Sequence, residues 1–282
     1  MATLKGKSTR PTPKPGLQDW IELPKEIMEK HSEVELCMDI MFINGVKLMT
    51  AIDRTIRFRS VVPLQSKGDS SFIKAISSIV NEYHKAGFKV SVIYCDQEFK
   101  SIFNELWQQQ HIHLNFCNTG DHVGEAERNN RFLKERFRVK FHLLPYKAIP
   151  AIMIRYLAMK TADEDNYFPV KNGVSSYYSP RMIISQKALD YTRDCQVPFG
   201  SYVEATVGTT NTPTARTRSA IYLRVSNSMQ GGHEVMALDT GKLLNSPKVT
   251  KLPLTDVIVK TVEAMAELQG FKTLKLAIAG SS

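Results

Sequence analysis

Three acids stand where a charge needs a reason. Asp39 sits in the middle of the apolar run "LCMDIMF", where a carboxylate is costly unless it is solvated, paired or bound to a metal. Asp96 follows directly on the strand-like run "VSVIYC", at the kind of strand end where open mixed sheets place functional side chains. Its plainest reading is the N-cap of the helix that follows. Glu127 heads a basic stretch, "HVGEAERNNRFLKER", His122 to Arg136. There Arg131, Lys134 and Arg138 share one helical face with it. A solvated helix with ordinary i,i+4 ion pairs explains such a ladder when it stands alone. Three acids from two strands and a helix around one sheet have a second explanation. Carboxylate oxygens are what a magnesium ion bound to phosphate needs, and two such ions clamp the attacking and leaving oxygens of a phosphodiester displacement. The cations would then hold a polyanion.

Glu125 competes with Glu127. It lies two residues away and about 200° around the helix, off the face shared by Arg131, Lys134 and Arg138. The opposite side carries Ala126, Leu133, Phe137, Phe141 and Leu144, an apolar stripe that would anchor the helix on a sheet.

The elements that must position these residues are legible. "EVELCMDIMFI" and "VKLMTAI" read as strands joined by Asn44-Gly45, a type I′ hairpin signal, and "RFRSVVPL" as a third strand. "DSSFIKAISSIVNEYHKAG" reads as an amphipathic helix opened by Asp69 or Ser70 and closed at Gly87. "KVSVIYC", "QEFKSIFNELWQQQ" and "IHLNF" continue as strand, helix and strand, and another helix spans about 149–165. This order gives an α/β fold with a mixed sheet flanked by helices. After "YYSPRMIIS" the texture changes. "GSYVEAT", "SAIYLRV", "HEVMALD" and "KLLNSPKVTKLP" are short strands between turns and read as a small β-barrel, followed by a helix from Thr255 to about Gln269. The division is a flexible basic arm (1–30), a catalytic unit (31–165), an extended connector (166–197), the barrel (198–253) and a helix with a tail (254–282).

The 282 residues are 43% hydrophobic and 23% charged, ordinary for a globular protein with one or two cores. The net charge of +9 permits a nucleic-acid partner, and its placement says more. Six cations face one acid between Arg128 and Lys140, and thirteen face eight from Asn166 onward. Four dispersed cysteines without a CxxC pair point to reduced thiols and an intracellular protein. No apolar run approaches a membrane span.

In order, the acids and their flanking phrases resemble the D,D,E core of retroviral-type integrases, and most closely integrases of copia-type LTR retrotransposons. The phrases are "DIMFING" (Asp39 to Gly45), "CDQEF" (Cys95 to Phe99), "HVGEAER" running into "NNRFLKER" (His122 to Arg136), and "GVSSYYSPRMI" (Gly173 to Ile183). "FGSYV" (Phe199 to Val203) and "QGGHEV" (Gln230 to Val235) follow in the barrel. Gln97 stands where Asn is common in that family, and Gly124 where Pro is common. No His/His/Cys/Cys zinc pattern precedes residue 31. The resemblance implies an RNase H-like fold followed by a small SH3-like β-barrel. It implies a metal-dependent polynucleotidyl transferase with Asp39, Asp96 and Glu127 as catalytic residues and as ligands of Mg2+ (or Mn2+), and with Arg131, Lys134 and Arg138 on DNA. The partners would be element ends and target DNA, the assembly a homo-oligomer on DNA, and the location the nucleus when active.

Two rival readings share these residues: a truncated or domesticated remnant that binds nucleic acid without catalysis, and an RNase H-type nuclease acting on RNA·DNA hybrids. The appended barrel phrases disfavour the second. His111, His113 and Cys117 share a strand face but lack a fourth zinc ligand at sensible spacing. "ALDTGK" (Ala237 to Lys242) looks like an aspartic-protease signature, yet the Lys after the Gly fits a turn between strands.

Overall fold

The computed structural model describes residues 6, 20–116, 123–171, 173–208, 215–226, 228 and 231–276. In chain order these form α1 (Lys25–Lys30), β1 (Glu33–Ile43), β2 (Val46–Asp53), β3 (Arg59–Pro63), α2 (Asp69–Lys85) and β4 (Lys89–Cys95). A 3-10 turn (Gln97–Ile102) then leads into α3 (Phe103–Gln110), β5 (His113–Phe116), α4 (Gly124–His142), α5 (Ala151–Asp165), α6 (Pro180–Ser185) and α7 (Tyr191–Asp194). The remainder is β6 (Tyr202–Thr206), β7 (Thr217–Val225), β8 (His233–Ala237), β9 (Leu243–Ser246), β10 (Val249–Lys251) and α8 (Asp256–Leu268). The chain divides into two compact units, one from 20–141, 158–189 and 275–276, the other from 142–157 and 190–274.

The first unit holds a mixed five-stranded sheet in the order β3-β2-β1-β4-β5. β1, β2 and β3 pair antiparallel, while β4 joins β1, and β5 joins β4, in parallel. The β1–β2 turn is the expected one: Asn44 and Gly45 both have positive φ, 48° and 76°, as a type I′ hairpin requires. Alternation along β1 sends Leu36, Met38 and Ile40 to one face, into a core with Phe72, Ile76, Ile79 and Tyr83 of α2. Cys37 and Ile52 face the other way, against Ala126 of α4. Helices therefore flank the sheet.

α2 ends as its sequence foretells, with Gly87 at φ 88° and its amide bonded to the His84 carbonyl at 3.0 Å. Its start differs. Gly68 occupies the cap position without a side-chain bond, and Asp69 lies inside the first turn, accepting the Ser101 hydroxyl at 2.7 Å. A carboxylate there still favours the positive end of the helix.

The expected extended connector needs correction. Residues 166–179 form no helix or strand among those described, but Pro180–Ser185 make α6, capped by Ser179 Oγ accepting the Met182 amide. Ile183 and Ile184 are buried in the first core, with Val174 and Tyr178 packed against it. A proline at the first helical position followed by aliphatic residues favours a short core helix over a tether. Asn166 clips this segment to β3: its Oδ1 accepts the Arg59 amide at 2.9 Å and its Nδ2 donates to the Arg59 carbonyl at 2.8 Å.

In the second unit an antiparallel sheet runs β10-β6-β7-β8-β9 over a small core of Val203, Ala205, Ala220, Tyr222 and Val235. "KLLNSPKVTKLP", expected as one strand, is two. Pro247, which has no amide hydrogen, separates β9 on β8 from β10 on β6, so one short stretch supplies both sheet edges and the sheet curls. The protease-like phrase is a turn, with Gly241 at φ 65° and Asp239 accepting Arg218 Nε and Nη2 at 2.8 and 2.6 Å.

Asn166 is 2% exposed, so Asn166→Ala removes the partner of two part-buried backbone groups of Arg59. We expect it to lower stability by about 2 kcal/mol or more, read as a shift of the urea midpoint at unchanged slope. A shift under about 0.5 kcal/mol, the size of a neutral surface change, would mean the clip contributes nothing.

Candidate active site

The parallel register pairs Cys37 with Tyr94. Two residues on, Asp39 lies in β1 and Asp96 just past the end of β4, and the Asp96 charge reaches the Asp39 carboxylate. Asp96 occupies the N-cap position of the 3-10 turn, in the extended conformation usual there (φ −75°, ψ 166°). Its carbonyl accepts the Phe99 amide at 3.2 Å, but its side chain makes no capping bond.

Asp39 is 9% exposed and sits at the meeting point of three elements. Its Oδ1 accepts the Ile40 amide at 2.6 Å, and its Oδ2 accepts Asn130 Nδ2 of α4 at 2.6 Å. Asn130 Oδ1 in turn accepts the Thr50 hydroxyl of β2 at 2.6 Å. Burial pushes the Asp39 carboxyl up to about 6 from its ordinary 3.8; the Ile40 amide opposes this, the charges of Asp96 and Glu98 add to it, and Lys134 opposes it. Lys134 is itself held below its ordinary value by burial, with Asp39 counteracting. Asp39 thus feels two acids, Asp96 and Glu98, and the cation Lys134.

Glu127 lies on α4, exposed, in the first turn with Glu125. It precedes Asn130 by three residues and Lys134 by seven, so it shares their stripe one turn nearer the helix start. Among the described residues, no group of three or more His, Cys, Asp or Glu side chains is gathered closely enough to hold a metal ion. The structure brings Asp39 and Asp96 together and places Glu127 on the helix that overlies them, without closing a three-carboxylate cluster. The two aspartates do fit a hard cation: their mutual charge raises Asp39, and a divalent ion between oxygens would relieve it.

Glu125 has a different partner set. Arg54 Nε reaches its Oε2 at 3.2 Å, and Arg57 Nη1 contacts its Oε1. Burial works against the Glu125 charge, yet Arg57 and Arg54 outweigh it and hold the carboxyl below its ordinary value. The neighbouring Cys37 thiol, 3.7 Å from Glu125, is pushed up to about 12 by burial and then by that carboxylate.

The basic ladder divides. Lys140 pairs with Glu164 at 2.6 Å and Arg136 with Asp165 at 3.8 Å, whereas Arg131 and Arg138 are exposed and Lys134 turns toward Asp39. His113 packs edge-on to Phe103 and Trp107, His111 closes α3 in a left-handed conformation, and Cys117 lies outside the described residues. Sequence reasoning missed Thr50, Asn130 and Glu98. Asn130 had a signal, since it falls between Ala126 and Leu133 at helical spacing, on the edge of the apolar stripe, and a buried amide there needs a polar partner.

No protein-family model matches this chain, and no curated protein matches it. Among solved structures it is similar to the catalytic core domain of BIV integrase, at a TM-score of 0.41 and 15% identity over 54% of this chain and 93% of that one.

Because the folded Asp39 carboxyl lies above its unfolded value, its contribution to stability is present below about pH 4 and is lost as pH rises through about 6. In metal-free buffer, Asp39→Asn should match wild type below that window and exceed it at pH 7 by on the order of 1 kcal/mol. Urea unfolding across that range checks it. A variant less stable than wild type at pH 7 by the same margin would show that the Asn130 bond outweighs the burial of charge.

Proposed function

We propose that the first unit is the catalytic domain of an integrase-type polynucleotidyl transferase that joins DNA ends to target DNA. The observation that carries this reading is the pair of Asp39, in β1, and Asp96, just past the end of parallel β4, within electrostatic reach of each other, beside a helix that brings Lys134 to Asp39 and carries Glu127 about two turns upstream of that lysine. The strand order, three antiparallel then two parallel, agrees with the RNase H-like arrangement expected from the sequence phrases. Asp39 and Asp96, with Glu127 joining them, would hold Mg2+ or Mn2+, which when bound neutralises charge on the phosphodiester and activates the attacking oxygen. The chain's own share is placement. Asn130 fixes the Asp39 carboxylate, Lys134 moderates the charge around it, and Arg131 and Arg138 present phosphate contacts that add salt-dependent affinity without reading sequence. The curled sheet of the second unit, read as an SH3-like barrel, would add a second basic DNA surface, and a homo-oligomer would present both ends. The alternative, a remnant that binds nucleic acid without catalysis, is favoured by the unclosed carboxylate cluster.

A strand-transfer assay with labelled oligonucleotides in magnesium or manganese decides between them. Wild type should transfer. Glu127→Gln should keep its thermal midpoint and lose more than the roughly 10–100-fold that removing an outer-shell partner costs. Wild type that binds DNA and never transfers would establish the remnant. Arg131→Ala should flatten the slope of log affinity against log salt by about one unit, and a salt-independent affinity would remove the polyanion reading altogether.

A further inference from the structure

On the other flank of α4, over β2 and β3, lies a cleft of about 270 Å3 lined by Ile52, Arg57, Arg59, Arg128, Asn129 and Phe132, with Glu125 at its side. Its charge is not balanced. Glu125 is shared between Arg57 and Arg54, and among the described residues no carboxylate lies within ion-pair distance of Arg59 or Arg128. Arg59 is not exposed. Its guanidinium stacks on the Phe132 ring at 4.4 Å, donates to Asn129 Oδ1 at 2.9 Å, and is pulled below its ordinary pKa by burial, with Asp165 opposing and Arg57 adding. Asn129, 3% exposed, has a buried Nδ2 with no hydrogen-bond partner. A half-buried guanidinium with only the more distant Asp165 charge to answer it and a buried amide donor without an acceptor each carry a cost, and an anion seated against Arg59 and Asn129 would relieve both.

The geometry points to a binding site for a phosphate ester, of nucleotide size, held by Arg59, Arg128 and Asn129. Arginine forks match phosphate oxygens bidentately, and the stacking on Phe132 holds one fork ready. Ile52 and Phe132 offer an apolar wall for the rest of the ligand. The volume, near the ~300 Å3 lower end of small-molecule sites, suits a nucleoside monophosphate or one nucleotide of a chain. This seat stands apart from the carboxylate reading and uses none of its residues.

The test is calorimetric titration of the full chain, in EDTA and low salt, with thymidine 5′-monophosphate, inorganic phosphate and thymidine. The monophosphate and phosphate should bind saturably and thymidine should not. Arg128→Glu, a change at an exposed position, should weaken monophosphate binding by about tenfold or more, and Arg59→Gln should do likewise if it folds. No saturation by either phosphate, or full affinity in Arg128→Glu, overturns the proposal. Displacement of bound monophosphate by duplex DNA would identify the phosphate as one of a nucleic acid. Failure to displace it would identify a free nucleotide, and the seat stands in both cases.

Discussion

The hydrogen bond from Asn130 to Asp39 is the constraint on which the first unit turns. It joins the middle strand of the sheet to the helix that covers it, and through Thr50 it includes the neighbouring strand. A nearly buried carboxylate left alone would be among the costlier features of a core. Paired with an oriented amide it becomes a registration device, because a half-turn of the helix in either direction would take Asn130 from both Asp39 and Thr50 and leave the carboxylate only the Ile40 amide. The apolar stripe of Ala126, Leu133 and Phe137 tolerates small rotations, since dispersion contacts are non-directional. The amide does not.

Once the phase of α4 is set, the rest of its surface has no freedom. Lys134 turns to the acidic pocket, Glu125 meets the two arginines of the β2–β3 loop, and Asn129 reaches Arg59. One helix therefore separates two electrostatic territories. Toward β4, Asp96 and Glu98 crowd Asp39 and raise its affinity for protons. Toward β3, guanidiniums crowd: Glu125 is shared by Arg54 and Arg57, and only the more distant Asp165 charge opposes Arg59 among the described residues. A phosphodiester chemistry needs both kinds of surface, one to bind cations and one to bind the anion itself.

What the sequence disclosed follows from how local each signal is. Asn44-Gly45 and Gly87 act through their own backbone torsions, so their turns could be read directly. Asp39 announced itself by being a charge in an apolar strand, and Asp96 by its place after one. Asn129 and Asn130 looked like ordinary polar helix residues because their burial depends on strands some eighty residues away. Glu125 and Glu127 could be told apart by helical phase, yet the reason Glu125 is occupied, Arg54 and Arg57, lies in a loop whose position no local rule supplies. The connector misled for a similar reason: prolines and a Lys-Asn-Gly turn describe its backbone, while the burial of Ile183 and Ile184 depends on the core they meet. Pro247 could have divided the last strand of the second sheet, since it removes one ladder donor.

The unpaired state of Arg59 and the paired state of Glu125 have one explanation in the loop between β2 and β3. Asp53 closes that loop by accepting the Thr55 and Ile56 amides, and Arg57 adopts a positive φ of 66°, a conformation that costs on the order of 1 kcal/mol for a residue with a side chain. The strain sends Arg57 to Glu125 and leaves Arg59, two residues on, to begin β3 with its backbone held by Asn166 and its guanidinium stacked on Phe132. A loop built only to connect two strands would have no use for this arrangement. It satisfies one arginine internally and keeps the other oriented with, among the described residues, no carboxylate at ion-pair distance, and a site for an anion has to be in that condition before the anion arrives.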